Sequence, residues 1–398
     1  MNGNRVGPVA SAKHGVILLM AAVMPIMAII SLVPVLPLLL KEFSDTPGAA
    51  FLVPMALTVP ALCVALFAPL AGWLSDRVGR KKLLITALLL YAGAGILPLI
   101  LTELSHIIAS RILLGIAEAA IMTVATALVG DYFAGEQREK WIALQIAAGS
   151  IAAIVLIAVG GFLGETFGSR GPFLLYLLAI PIALAGASIL FEPASARSPD
   201  RPIQTVAALG PTMPLVAITL GLGIIFYTMV VQLGPILQLS GPASPGRIGV
   251  AGAIANLGVA LGSVIFRMGR ARAGPLLLAG GLALAAIGYA GAGLSSSFWA
   301  IAFFAVIACI GSGLMLPNML TWLMRLLPAE TRGRGTGIWT GAFFLGQFVA
   351  PLVATAISGQ TQGLASVLLI YAALCSVGAL AALIASKRSV TPRQLQGA

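Results

Sequence analysis

Long charge-free apolar runs alternate with short polar connectors along the whole chain. Each run is long enough to cross a bilayer core of about 30 Å as a helix of about 20 residues. The pattern predicts twelve helices, near 15–40, 49–71, 83–102, 107–130, 141–163, 172–191, 214–239, 246–266, 274–294, 298–324, 336–358 and 364–386. The runs are continuously apolar, without the two-residue alternation of a lipid-facing β-barrel. Helix follows from the solvent, because hydrocarbon cannot satisfy free backbone N–H and C=O groups. The run over 15–40 is too long for the apolar core of a cleaved signal, about 7–15 residues, and is expected to remain as the first span.

Composition sharpens this reading. Of 398 residues, 59% are hydrophobic and only 9% charged, against about 25% charged in soluble proteins. Mean hydropathy is +1.05. So much apolar surface cannot be hidden in soluble domains of this length, and a lipid bilayer is the expected partner. The net charge of +11 raises the question of nucleic acid. The cations, however, sit in short connectors, without an extended basic face or interleaved aromatics, so no nucleic-acid partner is expected. Cys63, Cys309 and Cys375 lie far apart inside apolar runs, so neither a metal nor a cofactor is expected.

The placement of the cations orients the chain. With the N-terminus in the cytoplasm, 19 of the 23 Lys and Arg residues fall in cytoplasmic segments and three, Lys41, Arg170 and Arg247, in outer loops. The remaining cation, Arg111, lies inside a span. Because one missed span would invert every later loop, this asymmetry supports twelve spans with both termini cytoplasmic in a plasma or inner membrane.

The polar stretch from Glu192 to about Gln204 separates six spans from six. The expected division is a first bundle over 1–191, a linker over 192–213 and a second bundle over 214–398. The halves repeat. Gly72, Arg77, Gly79 and Arg80 align without gaps on Gly262, Arg267, Gly269 and Arg270. Glu136, Arg138 and Lys140 correspond to Glu330, Arg332 and Arg334. Six spans per half is an even number, so the repeats are parallel, related by an axis along the membrane normal.

The connector Gly72-Trp-Leu-Ser-Asp76-Arg77-Val-Gly79-Arg80-Lys81-Lys82, with its degenerate second copy, resembles the loop between helices 2 and 3 of the major facilitator superfamily. The resemblance extends over essentially the whole chain. It implies an all-α membrane transporter of two six-helix bundles that rock about a central site. It further implies that Asp76 pairs with a motif arginine and faces the start of helix 11, here Thr336-Gly337, helping to hold an outward-open state. A carboxylate beside a helix N-terminus suits the helix dipole. Gly79 suits a tight turn, and Arg80 can reach Asp131 at the end of helix 4. The expected latch is therefore Gly72, Asp76, Arg77, Gly79, Arg80 and Asp131. The alternative is that these residues only enforce topology. Phe266 replaces Asp76 in the second copy, so only the first half is expected to carry the latch.

Glu118 is the one acid deep in a span, and it shares helix 4 with Arg111. Seven residues place both on one face, about 10 Å apart along the axis. Charges at this depth are costly and should face a cavity. The stretch resembles the family's helix 4 motif, whose arginine is linked to proton coupling. On that basis Glu118 is expected to carry the coupling proton, with Arg111 responding to its charge. A structural ion pair is the alternative. Cavity candidates are Gln145, Tyr227, Gln232, Asn256, Asn318, Trp322 and Gln347, with Asn318 beside Pro317 and Gln347 near Pro351 favoured. So sparse a polar set among Met, Phe and Trp suits an apolar or amphipathic small-molecule substrate.

Small-residue spacings at Gly160, Gly164 and Gly168, at Gly258 and Gly262, and at Gly337 and Gly341 predict close helix contacts. The resemblance places helix 5 against 8 and helix 2 against 11. Antiporters of the family usually carry Gly-Pro-x-x-Gly-Gly in helix 5. Here Gly160 and Gly161 match the last pair, while Leu156 and Ile157 replace Gly-Pro. Proton-coupled efflux is the first expectation, with proton-coupled uptake or uncoupled facilitation as the alternative. No lysine follows a glycine, so the phosphate cradle of an ATP-driven pump is missing and no ATP is expected. His14 and His106 sit near opposite membrane faces, so no catalytic constellation is expected and the chain does not read as an enzyme.

Overall fold

A computed structural model describes residues 10–193, 210, 212–328 and 331–390, without the side chains of 332–334 and 388–390. Among the described residues all regular structure is helical. Helix α1 runs over Ala12–Ile30, a 3-10 turn at Val33–Val35, and Leu36–Glu42. Then follow α2 (Ala49–Val78), α3 (Arg80–Ile96), α4 (Leu104–Tyr132) and α5 (Gly135–Phe167). Helix α6 starts as a 3-10 helix, Gly168–Leu178, and continues as Ala179–Ile189. In the second half, α7 consists of Met213–Val231 with the short pieces Leu233–Leu237 and Gln238–Ser240. The rest are α8 (Pro245–Gly269), α9 (Pro275–Leu294), α10 (Phe298–Leu326), α11 (Arg332–Gln360) and α12 (Leu364–Val390). Glu330, the side chains of Arg332 and Arg334, and most of the 192–213 linker lie outside the described residues.

The described residues hold 11 apolar helical stretches long enough to cross a membrane. One of them, Gly135–Ile189, has 55 residues and would extend about 80 Å if straight. It turns back at Gly168, whose φ of +73° suits glycine. Just beyond, a Cβ at Gly171 would collide with the Leu163 carbonyl. The stretch is therefore two crossings, α5 and α6, which gives the twelve expected.

The repeat extends into the core. In the first half Tyr91 of α3 donates to the Met24 carbonyl of α1 at 2.5 Å and packs 5.3 Å from Tyr176 of α6. In the second half Tyr289 of α9 donates to the Ile225 carbonyl of α7 and packs 5.7 Å from Tyr371 of α12. Buried phenols need an acceptor, and the first helix of each half supplies one.

The halves meet near the face that carries few cations. Gly246 N–H donates to Glu165 at 2.8 Å, Thr355 to the Ala50 carbonyl at 3.3 Å, and Thr58 to the Phe348 carbonyl at 3.4 Å. The Ala50 carbonyl is free because Pro54, one turn later, has no N–H to give it. Gly161 of α5 lies against Gly249 of α8, so the expected contact between helices 5 and 8 forms here.

Three glycine expectations change. In the helix 5 set, Gly160 packs on the Ser31 backbone inside its own bundle and Gly168 has nothing within 4 Å of where a Cβ would stand. Gly258 and Gly262 pack on α10, against the Val306 and Ile310 carbonyls, and not across the interface. Only a glycine lets α8 come that close to a neighbouring backbone inside its own bundle. Gly337 and Gly341 of α11 have nothing within 4 Å of where a Cβ would stand, so the cation-rich ends of α2 and α11 are apart. Gly262→Val is expected to cost about 1–3 kcal/mol through overpacking, read as a lower unfolding temperature in detergent.

Candidate functional site

The break in α1 prepares the polar core of the first half. Leu32 N–H turns back to the Ile29 carbonyl in the 3-10 pattern, so the Ala28 carbonyl loses its usual partner four residues on. Arg111 Nη2 donates to that carbonyl at 2.8 Å and to the Tyr176 hydroxyl at 2.6 Å. Tyr176 in turn donates to the Ala28 carbonyl at 2.9 Å. The guanidinium also lies 5.0 Å from the Tyr176 ring and 5.7 Å from the Phe173 ring.

Arg111 and Glu118 are each only 1% exposed, yet no ion pair joins them. The ion pairs among the described residues are Arg80–Asp76, Arg80–Asp131, His106–Glu103 and Arg170–Glu42. Arg111 Nε and Nη1 and Glu118 Oε2 are buried with no hydrogen-bond partner in the protein. The structural ion pair weighed for α4 is therefore not made. Arg111 is held by α1 and α6, whereas Glu118 faces a different space.

That space is a cavity of about 360 Å³ between the halves. Its walls are Ala22, Pro25, Ile26, Ile29 and Ile30 of α1, and Glu118 and Met122 of α4. Helix α5 adds Gln145, Ile146, Gly149, Ser150 and Ala153, and α7 adds Phe226, Tyr227 and Val230. Asn256, Val259 and Ala260 of α8 and Phe344 and Gln347 of α11 complete it. Such a volume suits a small organic molecule. Glu118 is the one ionisable carboxyl on a wall that is otherwise apolar, aromatic, amide or hydroxyl.

Of the expected cavity residues, Gln145, Tyr227, Asn256 and Gln347 are on the wall. Gln145 reaches the Leu18 carbonyl at 3.4 Å and Asn256 donates to the Gly252 carbonyl at 2.9 Å. Gln347 is 2% exposed, and its Oε1 has no partner in the protein. Gln232, Asn318 and Trp322 stand away from the wall. Gln232 occupies the break in α7, and Trp322 packs on the second bundle's core. Asn318 accepts from Gly274 N–H at 2.8 Å and donates to the Gly274 carbonyl at 3.0 Å, pinning the connector before α9. Asn318→Ala strands the buried Gly274 N–H, while the Gly274 carbonyl keeps the Leu278 N–H as donor. It is expected to cost about 1–3 kcal/mol of stability while leaving substrate affinity unchanged, which thermal unfolding with and without substrate would measure.

Ser150, Phe226 and Phe344 on the wall were not expected. A serine and two phenylalanines inside apolar runs carry no sequence signal that separates a cavity wall from a lipid face.

At the cation-rich face, Arg80 bridges Asp131 at 2.5 Å and Asp76 at 3.2 Å. Partial exposure limits each pair to about 1 kcal/mol or less. Arg77 lies over the Trp73 ring, 4.0 Å from its centroid. Gly72 has only ordinary contact, with Thr123. Gly79 has φ +102° and also makes room for Glu192, whose carboxylate accepts from the backbone N–H groups of Arg80 at 2.6 Å and Lys81 at 3.1 Å. That cap on α3 was not foreseen, because Glu192 is distant in sequence. Asp76 does not reach the start of α11. Its side chain is 67% exposed and, among the described residues, bonds only Arg80, so no latch contact to the described part of α11 is made in this conformation.

Several known proteins are similar to this chain. Segments are 34% identical over 113 residues to the bacillibactin exporter of Bacillus subtilis strain 168, 27% of each chain. Others are 33% identical over 165 residues to the class B tetracycline resistance protein of Escherichia coli, 41% of this chain and 40% of that one. Over 156 residues the chain is 33% identical to multidrug resistance protein 2 of Bacillus subtilis strain 168, 39% of this chain and 37% of that one. The matches thus span two fifths or less of these relatives' length.

Among solved structures, a bacterial homolog of the human lysosomal transporter Spinster, in an inward-facing and occupied conformation, superposes with TM-score 0.76 at 15% identity, covering 95% of this chain and 98% of that one. The nucleoside transporter NupG gives TM-score 0.76 at 11% identity, covering 93% and 99%. These likenesses establish the fold. The Major Facilitator Superfamily profile matches residues 18–286 and 224–398. With the repeated six-helix halves and the Asp76–Arg80–Asp131 cluster, this shows that the chain belongs to the Major Facilitator Superfamily of membrane transporters.

Proposed function

We propose that the protein is a secondary transporter that exports an apolar or amphipathic small molecule in exchange for protons. The observation that carries this reading is Glu118, a buried carboxyl with a partner-free oxygen on the wall of a mostly apolar 360 Å³ cavity. A carboxyl there can bind a proton without any partner having to be broken. Substrate and proton then compete for one space, which is what exchange requires. The relatives, an exporter and two resistance proteins, agree with export.

In this reading the cation-rich face is cytoplasmic, by the positive-inside rule, and so are both termini. Residues 1–191 and 214–398 rock as units joined by the 192–213 linker. The halves are joined at the cation-poor end and apart at Gly337 and Gly341, which makes the described conformation inward-open. In the opposite state Asp76 docks on the start of α11, and Arg80 and Asp131 hold it there. Gln145, Tyr227, Asn256 and Gln347 orient the substrate.

The departure at Leu156 and Ile157 supports a second reading, proton-coupled uptake or uncoupled facilitation, since the antiporter motif is incomplete. Ile157 fills the recess at Gly252 of α8. One experiment separates these readings. Proteoliposomes with an imposed pH gradient are challenged with a panel of amphipathic cations and neutral compounds. Export predicts substrate movement opposite to proton flow. Movement with the protons supports uptake, and flux indifferent to the gradient rejects coupling.

A further inference from the structure

The two copies of the repeated connector differ in charge. In the first copy Arg80 is paired with Asp76 and Asp131, and Glu192 accepts from the backbone N–H groups of Arg80 and Lys81. In the second copy Phe266 stands where Asp76 does, and the alignment that sets Glu136 on Glu330 sets Asp131 on Arg325. Both acids that neutralise Arg80 are thus lost from the second half, and one has become a cation.

The cations themselves are kept. Arg267 lies in the last turn of α8, and Arg270 and Arg272 lie in the 3-10 turn Arg270–Arg272 that follows it. Arg325, in the last turn of α10, donates to the Arg270 carbonyl at 2.9 Å and to the Ala273 carbonyl at 3.2 Å. All of these arginines are exposed. Among the described residues none of them is in an ion pair, and the guanidinium groups of Arg267, Arg270 and Arg272 have no hydrogen-bond partner. Like charges gathered at one connector repel. Loop orientation counts cations and is nearly indifferent to acids, so topology accounts for the arginines but not for the loss of both acids.

The surface beside the cluster is apolar. Leu257, Leu261, Val264 and Met268 are exposed and recur every three or four residues, which makes one stripe along α8. Met268, at the foot of the stripe, is 85% exposed, and Arg272 follows one turn beyond it. Leu276 at the start of α9 and Leu326 at the end of α10 are exposed as well. An apolar stripe that ends in unpaired cations at the membrane surface matches a molecule with apolar chains and an anionic head. A zwitterionic lipid brings its own cation and leaves the surplus charge in place.

We infer that the α8–α9 connector, with the end of α10, is a binding site for an anionic phospholipid of the leaflet at the cation-rich face. The lipid phosphate sits among Arg267, Arg270 and Arg272 and supplies the counter-charge that Asp76 and Asp131 supply in the first copy. Its acyl chains lie along the α8 stripe. Basic clusters at helix ends hold acidic lipids by charge and by N–H donors to the phosphate oxygens. The site is distinct from the substrate cavity, whose walls contain none of these arginines.

Phosphatidylglycerol is the probe and phosphatidylcholine its comparison. The full-length protein in detergent is titrated with each, and bound lipid is measured by native mass spectrometry. A phosphatidylglycerol with a photoreactive group near its head locates the site by peptide mapping. Phosphatidylglycerol is expected to bind about tenfold or more tightly than phosphatidylcholine, since each cation at a membrane surface adds to the attraction. Cross-links should fall within 261–276 or at 325–326. The variant carrying Arg267→Gln, Arg270→Gln and Arg272→Gln should reduce the preference to about threefold or less. Lys81→Gln with Lys82→Gln, in the first copy, should keep it. The inference is overturned by a wild-type protein without the preference, by a folded triple variant that retains it in full, or by cross-links confined to 72–82. It is equally overturned if glycerol phosphate, the head without its chains, competes as strongly as the lipid, for the ligand would then be a free anion. If the triple variant does not fold, Arg270→Gln and Arg272→Gln are tested singly. Each should weaken phosphatidylglycerol binding about threefold or more, and unchanged binding in both overturns the inference.

Discussion

Glu118→Gln is expected to abolish pH-driven transport in proteoliposomes while leaving the protein folded and able to bind substrate. The amide keeps the size and hydrogen-bonding capacity of the carboxyl but cannot take up a proton. Under a gradient acid on the cation-poor side, wild type should drive substrate toward that side, and the variant should show no gradient-driven accumulation. Gradient-free exchange of labelled for unlabelled substrate should persist within several-fold of wild type, because it needs the rocking motion but no net proton movement. The variant also tests the structural alternative. Had Glu118 been ion-paired with Arg111, removing its charge would cost about 3–5 kcal/mol and lower the unfolding temperature markedly. No such pair exists, and a charge at mid-membrane depth itself costs about 2.5–3.5 kcal/mol. The unfolding temperature should therefore hold or rise. Full gradient-driven accumulation by the variant would remove Glu118 from the coupling step.

The second large effect is expected from Gly161→Ala. In a helix interior alanine is favoured over glycine by about 1 kcal/mol, so the change should not harm folding. Its cost arises only where the halves touch. A Cβ at Gly161 would lie 2.6 Å from the Pro245 carbonyl oxygen and 2.8 Å from the Gly249 Cα, both backbone atoms of α8 that cannot rotate away. Overpacking of about 1–3 kcal/mol shifts the conformational equilibrium roughly 5- to 150-fold away from closure at the cation-poor end. The test uses Ser150→Cys on the cavity wall, in a background lacking the buried Cys63, Cys309 and Cys375. Labelling by an impermeant thiol reagent should fall from the cation-rich side and rise from the other, with transport down about tenfold. Unchanged labelling would mean that the α5–α8 contact does not govern access.

Much of the architecture could be read from the residue pattern alone. Hydrocarbon leaves the backbone no choice but helix, and cation placement fixes loop parity. The twelve crossings and the paired halves follow from these two constraints. The Asp76–Arg80–Asp131 cluster was equally readable, because its members sit at helix ends where short connectors leave little freedom.

The helix interiors were less readable. A polar side chain in an apolar run can face a cavity, a neighbouring helix or a freed carbonyl, and spacing does not distinguish these. Asn318 and Gln347 have the same kind of sequence context, each near a proline, yet Asn318 clasps Gly274 while Gln347 stands on the cavity wall. Gly258 and Gly262 carry the same spacing signal as Gly160 and Gly164, yet of these four only Gly164 meets the other half, at Pro245.

What the sequence by itself determined is the solvent, the helices, their number and the repeat, because each depends on local composition and on parity summed along the chain. Only the tertiary structure decided that Arg111 and Glu118, on one helix and seven residues apart, belong to different spaces. Arg111 is drawn to the carbonyl that the break in α1 leaves free, and Glu118 faces the gap between the halves. Both outcomes depend on helices distant in the chain, whose approach is set by packing that no single segment encodes.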